Sequence, residues 1–257
     1  MNAPGGPSTA EHLEQLRADA RRIAEVVATG PLDAPVAACP GWTIGDLVGH
    51  LGGVHRWALN AVREGRRPEG RPSTAGPEGA DLGEWLVDGA DAIADAIAAV
   101  PADTPSWNPW GTDPTVGFWA RRQALETMIH RWDAEAAVGG TTPLPASMAS
   151  DAIDELFEVI LPRTLRRDDA VPPTGSLHVH CTDVPGEWLV WIGEGDGDSD
   201  GHGELMMRRE HAKGDAAMRG PAETLVLHLW GRTHELTEPA DVVGDAAVAA
   251  TWARLTG

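Results

Sequence analysis

Apolar residues recur at helical spacing through the first half of the chain and at strand spacing only in the second. Ser8-Thr9-Ala10-Glu11 reads as a capping box, and Leu13, Leu16, Ala20, Ile23 and Val27 then mark one helical face as far as Gly30-Pro31. Thr43, with Asp46 three residues on, starts a second helix whose face is Ile44, Leu47, Val48, Leu51 and Val54. The Arg-, Pro- and Gly-rich stretch from Glu64 to Glu78 predicts a loop. A third helix is expected from about Asp81, capped by Asp81 with Glu84, and its face is Leu82, Trp85, Leu86, Ile93, Ile97 and Val100. Pro101 to Thr112 reads as a Pro/Trp loop, and a fourth helix from about Pro114 to Val138 stops at Gly139-Gly140. Four helices joined by loops predict a four-helix bundle, with a crossing order that this pattern leaves open.

Thr141 to Pro145 is the best linker candidate, dividing the chain into domains at 1–145 and 146–257. A helix over about Ser147 to Leu161 leads onward. After Pro172-Pro173, Leu177, Val179 and Cys181 alternate with His178, His180 and Thr182, as in a strand, and Trp188–Ile192 and Leu205–Arg208 also read as strands. Pro221 to Trp230 predicts a helix with Pro at its first position, and Ala246 to Leu255 a last one. The expected fold class is therefore α+β: a helical bundle followed by a smaller α+β domain, with no internal repeat.

Charge narrows the function classes. The 257 residues hold 39 acidic and 20 basic side chains, a formal net charge of −19, which argues against nucleic acid or an anionic membrane surface as partner. No apolar run approaches the roughly 20 residues of a membrane helix, and the N-terminus lacks the basic and apolar regions of a signal peptide. Two cysteines, Cys39 and Cys181, are too few for a disulfide framework, so a soluble cytoplasmic protein is expected. Lys213 is the only lysine among the basic residues, a usage that fits a genome of high GC content.

The sharpest chemical signal is Glu126 with His130 on the fourth helix. At i and i+4 they share a face, roughly 5–6 Å apart at Cβ, and could chelate one divalent ion. His50, between Leu47 and Val54 on the inward stripe of the second helix, is the natural third ligand. An inward His and carboxylate are costly without a partner, and a metal supplies one. Two imidazoles and a carboxylate on Zn²⁺ leave coordination positions open, the arrangement of catalytic rather than structural sites. Taken singly, a helical Glu-x-x-x-His pair is usually a surface ion pair and an inward His a satisfied core residue. His55 is a rival ligand, but i and i+5 points elsewhere on the helix.

The run CPGWTIGDLVGHLGGVHRW (Cys39 to Trp57) resembles the mycothiol-dependent maleylpyruvate isomerase family, and RRQALETMIHRWDAE (Arg121 to Glu135) resembles its second motif. LHVHCTDVPGEWLV (Leu177 to Val190) and KGDAAMRGPAETLVLHLWGR (Lys213 to Arg232) resemble that family's smaller C-terminal domain, so the likeness covers nearly the whole chain. It implies a DinB-like metal-binding four-helix bundle with His50, Glu126 and His130 as zinc ligands, Glu standing in the middle place where many DinB-like proteins have a third histidine. It also implies mycothiol, a low-molecular-weight thiol of high-GC actinobacteria, as cosubstrate. Zinc with open positions deprotonates a coordinating thiol at neutral pH. The thiolate either adds reversibly to an activated cis double bond, an isomerase, or stays attached to an electrophile, an S-transferase; the ligands alone do not separate the two. The expected partner is a small electrophilic or unsaturated acid, with a monomer the simplest assembly.

A dianionic substrate needs arginine forks placed locally on so acidic a protein. Arg232 is the leading candidate for this catalytic role, because the resemblance implies that an arginine of the C-terminal domain completes the site. Arg219 follows, with Arg56, Arg122 and Arg131 nearer the metal motifs, and the ordinary reading of each is a solvated or ion-paired side chain. His178-x-His180 can place two imidazoles on one strand face, more often simply the polar side of an exposed strand. Gly195 to Glu204 resembles the front of a calcium loop, but Met207 stands where the bidentate Glu belongs, so it reads as an acidic hairpin loop. Cys39 precedes Pro without an adjacent base and reads as a small buried thiol. Trp42, Trp57, Trp119 and Trp132 flank the metal motifs and read mostly as core, with one or two lining a pocket. The rivals to a thiol-dependent enzyme are a non-catalytic metal- or ligand-binding DinB-like module and a metal-dependent hydrolase that activates water.

Overall fold

The computed structural model describes residues 6–77, 81–167, 170–193 and 203–253. They fall into two compact units, which meet in sequence between Pro143 and Leu144.

The first unit is built from α1 (Thr9–Thr29), α2 (Ile44–Glu64), α3 (Asp81–Ala98) and α4 (Val116–Ala137). Both predicted capping boxes form. The Ser8 and Thr43 hydroxyls accept the backbone N–H of Glu11 and Asp46, whose carboxylates accept the cap N–H groups in return. α1 packs against α3 and α4, and α2 packs against the same two helices. Leu16, Ile23, Leu47, Leu51, Leu86, Ile93, Ile97, Trp119 and Leu125 are fully buried between them. Two details of α3 differ from the sequence expectation. Asp81 is its first helical residue, so the cap position falls at residue 80, outside the described residues, and the helix ends before Val100, which is 39% exposed. Thr115, one residue past the expected Pro114, caps α4.

A buried charge network fastens α4 to α1 and to the start of the linker. Arg131 donates to Asp19 from Nε at 3.1 Å and to Glu135 from Nη1 at 2.8 Å, and Nη1 also reaches the carbonyl of Thr142 at 2.6 Å. Arg22 donates to the same Glu135 at 2.6 Å. Breaking one member of such a network leaves an uncompensated charge in the core.

In the second unit, α5 (Ala146–Glu155) continues through a π-helical turn (Leu156–Ile160) to a last turn at Leu161–Thr164. A five-stranded sheet follows, from β1 (Leu177–Cys181), β2 (Glu187–Gly193), β3 (Glu204–Arg208), β4 (Ala216–Gly220) and β5 (Asp241–Gly244), in the order β3-β2-β1-β4-β5. The β1–β4 pairing is parallel and the others antiparallel. α6 (Ala222–Leu229) lies between β4 and β5, and α7 (Ala246–Trp252) follows β5. Leu177, Val179, Cys181, Trp188, Val190, Ala216 and Met218 are buried on the sheet face that carries the helices. Buried Asp154 of α5 accepts the Trp188 indole N–H at 2.7 Å and a two-pronged contact from Arg209 at 2.7 and 2.9 Å. β4 and β5 were not expected from the sequence, and Pro221 is the cap of α6 rather than its first residue. The acidic Gly195–His202 stretch and the end of the last expected helix, from Arg254, lie outside the described residues.

Glycines on α2 admit the 73–76 segment and a tryptophan at close range. A Cβ on Gly53 would stand 1.6 Å from the Ser73 carbonyl oxygen, one on Gly49 2.4 Å from that of Thr74, and one on Gly52 2.1 Å from the Trp85 ring. In an open helix, Gly→Ala gains up to about 1 kcal/mol. Gly53→Ala should instead lower the unfolding free energy by more than about 1 kcal/mol in urea titration, through the overlap with backbone; a more stable variant would contradict this packing.

Candidate metal centre

α2 and α4 bring His50, Glu126 and His130 to one point: one ligand atom from each lies within 4.8 Å of the other two. His50 Nε2 is 3.2 Å from Glu126 Oε1, and the two imidazole rings stand edge to face with centroids 5.8 Å apart. The side chains are 25%, 16% and 13% exposed, so the point is neither sealed core nor open surface. The pair is thus not the solvated ion pair that Glu-x-x-x-His usually makes.

Two further residues shape the point. Asp133, one helical turn beyond His130 and fully buried, holds His130 Nδ1 at 2.9 Å. That fixes the ring's orientation and leaves Nε2 as the lone-pair nitrogen, the arrangement that carboxylates impose on metal-ligating histidines. Asp133 was absent from the sequence reading, although its i+3 spacing from His130 was there to be read. Trp42, from the Cys-Pro-Gly-Trp run ahead of α2, lies over both imidazoles, with centroids 5.0 Å from His50 and 6.3 Å from His130. It is the tryptophan that lines the site; Trp119 is core, and Trp57 packs edge-on against it and against Trp107.

Burial pushes the Glu126 carboxyl up, but Arg122, His50 and His130 outweigh it and hold the group well below the ordinary carboxylate range. Glu126 is therefore an anion between two imidazoles, with Arg122 Nε 3.4 Å from its second oxygen. Two imidazole nitrogens and one carboxylate oxygen form a donor set suited to zinc and similar borderline divalent ions. An ion there would compensate the buried carboxylate.

The structure separates the other candidates. His55 turns to Thr127, its Nε2 3.0 Å from the hydroxyl, and is fully buried away from the triad. Arg131 is engaged in the Asp19–Glu135 network, and Arg56 donates to the Gly52 and Trp85 carbonyls while lying over the Trp85 ring. Both are thus engaged elsewhere, while Arg122 is in contact with the triad through Glu126. Cys39 departs from the expected buried thiol: it is only part-buried, and its sulfur lies within 4.8 Å of a His130 nitrogen and an Asp133 oxygen. In the second unit, Arg232 follows α6 and donates to the Trp230 carbonyl at 2.7 Å, while Arg219 is exposed on β4.

Comparisons with known proteins place the chain. Residues 13–135 match the model of the mycothiol maleylpyruvate isomerase N-terminal domain, and residues 147–251 that of the MDMPI C-terminal domain. A helical N-terminal domain followed by an α+β C-terminal domain is the class of protein that the fold and the two models define, and the chain belongs to the mycothiol maleylpyruvate isomerase family. Two uncharacterized proteins of Mycobacterium tuberculosis are each 29% identical over 121 residues, which cover 45% of this chain and 59% of theirs. The chain thus spans about three-fifths of the length of the curated relatives it matches. The crystal structure of the mycothiol-dependent maleylpyruvate isomerase superposes with a TM-score of 0.58 at 11% identity, covering 93% of this chain and 95% of that one. A histidine-to-alanine mutant of that isomerase gives a TM-score of 0.56, also at 11% identity, over 88% and 90%. At that identity the likeness is one of fold. No helix among the described residues is long and apolar enough to cross a membrane.

His55 gives a pH signature. Burial is the main cause that drops it from an ordinary 6.5 to about 4, against the pull of Glu126. Because its folded pKa lies below the unfolded one, the unfolded chain takes up a proton first as pH falls. Stability should then decline between about pH 6.5 and 4 by up to ~1.4 kcal/mol per pH unit from this group. Chemical denaturation of wild type and His55→Gln across that range should show a slope shallower by one proton in the variant. Parallel slopes would place His55 in a solvated setting.

Proposed function

We propose that the protein is a soluble cytoplasmic enzyme that uses a divalent zinc ion held by His50, Glu126 and His130 to activate a low-molecular-weight thiol, mycothiol. The proposed reaction is the cis–trans isomerisation of a small unsaturated acid, or S-transfer to an electrophile. The observation that carries this reading is the convergence of the three side chains on one part-exposed point, together with membership of a family named for a mycothiol-using isomerase.

Each residue then has a role set by its chemistry. His50 and His130 supply imidazole nitrogen donors, and Glu126 supplies the anion that offsets part of the ion's charge. Asp133 keeps Nε2 of His130 as the donor nitrogen. Arg122 beside Glu126 keeps that carboxylate ionised. When bound, zinc would supply a Lewis acid that lowers the pKa of a coordinated thiol to below neutrality. Trp42 gives the site an apolar wall that limits water around a reacting sulfur. Arg232 is assigned the carboxylate of the substrate, since the chain's −19 charge otherwise repels an acid.

Zinc-loaded protein should turn over an electrophilic unsaturated acid only when mycothiol is added. Equal turnover without thiol would overturn the thiol-dependent reading. His50→Ala and Glu126→Ala should each lose zinc by elemental analysis, whereas Arg232→Ala should keep zinc and lose about 10–100-fold in kcat/KM through a raised KM. Unchanged zinc in both ligand variants would remove the basis of the reading.

A further inference from the structure

The second unit carries a separate cluster that the reaction above does not use. On β1, His178 and His180 project from the sheet face opposite Leu177, Val179 and Cys181, as the two-residue period requires. In the antiparallel register of β1 with β2, His180 stands directly across from Glu187. His211, from the segment between β3 and β4, closes over the same place. One ligand atom from each of these four residues lies within 4.8 Å of the other three. The three imidazole centroids are 5.2–6.1 Å apart.

Hydrogen bonding accounts for only part of this arrangement. His180 Nδ1 reaches Glu187 Oε1 at 2.8 Å, and His211 Nδ1 reaches Oε2 at 2.9 Å, so each Glu187 oxygen already holds one ring. His178 is left over. Its side chain is 9% exposed, its Nε2 is buried without a hydrogen-bond partner, and the Glu187 oxygen it faces is 3.7 Å away. A buried nitrogen left without a partner, aimed at a carboxylate and two more imidazoles, is destabilising unless something fills the gap.

We propose that His178, His180, Glu187 and His211 form a second metal site, for a zinc-class divalent ion, on the sheet of the C-terminal unit. Three imidazoles and one carboxylate complete a four-coordinate shell from protein alone, the pattern of structural rather than catalytic zinc. Bonds of about 2.0–2.1 Å put tetrahedral ligand atoms about 3.4 Å apart, so small rotamer shifts from the present spacing close the shell. A bound ion would satisfy His178 and clamp the segment between β3 and β4 onto β1 and β2. Arg219, paired with His180 across β1 and β4, faces the same side but is exposed, so water screens its charge.

The test is zinc stoichiometry on the full chain after equilibration against buffered zinc at neutral pH, with thermal melts in parallel. His211 is 78% exposed in its side chain, so His211→Ala removes a ligand without disturbing packing. His211→Ala and His180→Ala should each bind one ion fewer than wild type and lose the rise in melting temperature that it gives. This difference holds whether or not the bundle triad takes its own ion, because His50→Ala reports that site separately. Equal stoichiometry in wild type and His211→Ala would overturn the proposal and leave the four side chains as a hydrogen-bonded cluster around Glu187.

Discussion

The N-terminal unit rests on finding partners for the charges of α4. This helix is buried nearly all round, yet carries Arg121, Arg122, Glu126, His130, Arg131, Asp133 and Glu135. A charge taken out of water costs several kcal/mol unless it is paired. On one side the solution is the Asp19–Arg131–Glu135–Arg22 network, which binds α4 to α1. On the other it is the Arg122–Glu126–His50 contact and the His130–Asp133 pair. The first set is closed by protein groups. The second leaves one carboxylate between two imidazoles on a part-exposed point, and that is where an ion fits.

Much of the helical unit was legible in the sequence because its signals are local. The Ser8/Glu11 and Thr43/Asp46 boxes and the Gly30-Pro31 and Gly139-Gly140 stops act over three or four residues, and α1, α2 and α4 begin or end accordingly. The two missed strands lack such signals. β4 reads Ala-Ala-Met-Arg-Gly, with few of the β-branched or aromatic residues that mark strands, and β5 is four residues long and wholly exposed. Both are held by non-local pairing, β4 with β1 and β5 with β4.

The candidate sites divide along the same line. Glu126 and His130 share a helix face, which a single sequence displays, as does the i+4 spacing of Arg131 and Glu135; the exclusion of Arg131 and Arg56 depends further on Asp19 and Trp85, which only folding brings near. In the C-terminal unit the His178–His180 face was readable from alternation. Glu187 enters by strand register and His211 from a loop, and neither relation has a local trace. The acidic balance also changes meaning. Arg17, Arg22, Arg131 and Arg209 are each held by an Asp or Glu of the protein itself, so part of the basic set is spent on internal ion pairs and the acidic excess remains.

Zinc-edge X-ray absorption on the full chain carrying His211→Ala, in which only the bundle triad is to hold zinc, tests the metal assignment most directly. Two imidazole nitrogens and light oxygen donors at about 2.0–2.1 Å are predicted, with a sulfur at about 2.3 Å replacing a light donor once mycothiol is added. A spectrum without imidazole scattering, or one that the thiol leaves unchanged, would contradict the assignment of this site to thiol activation.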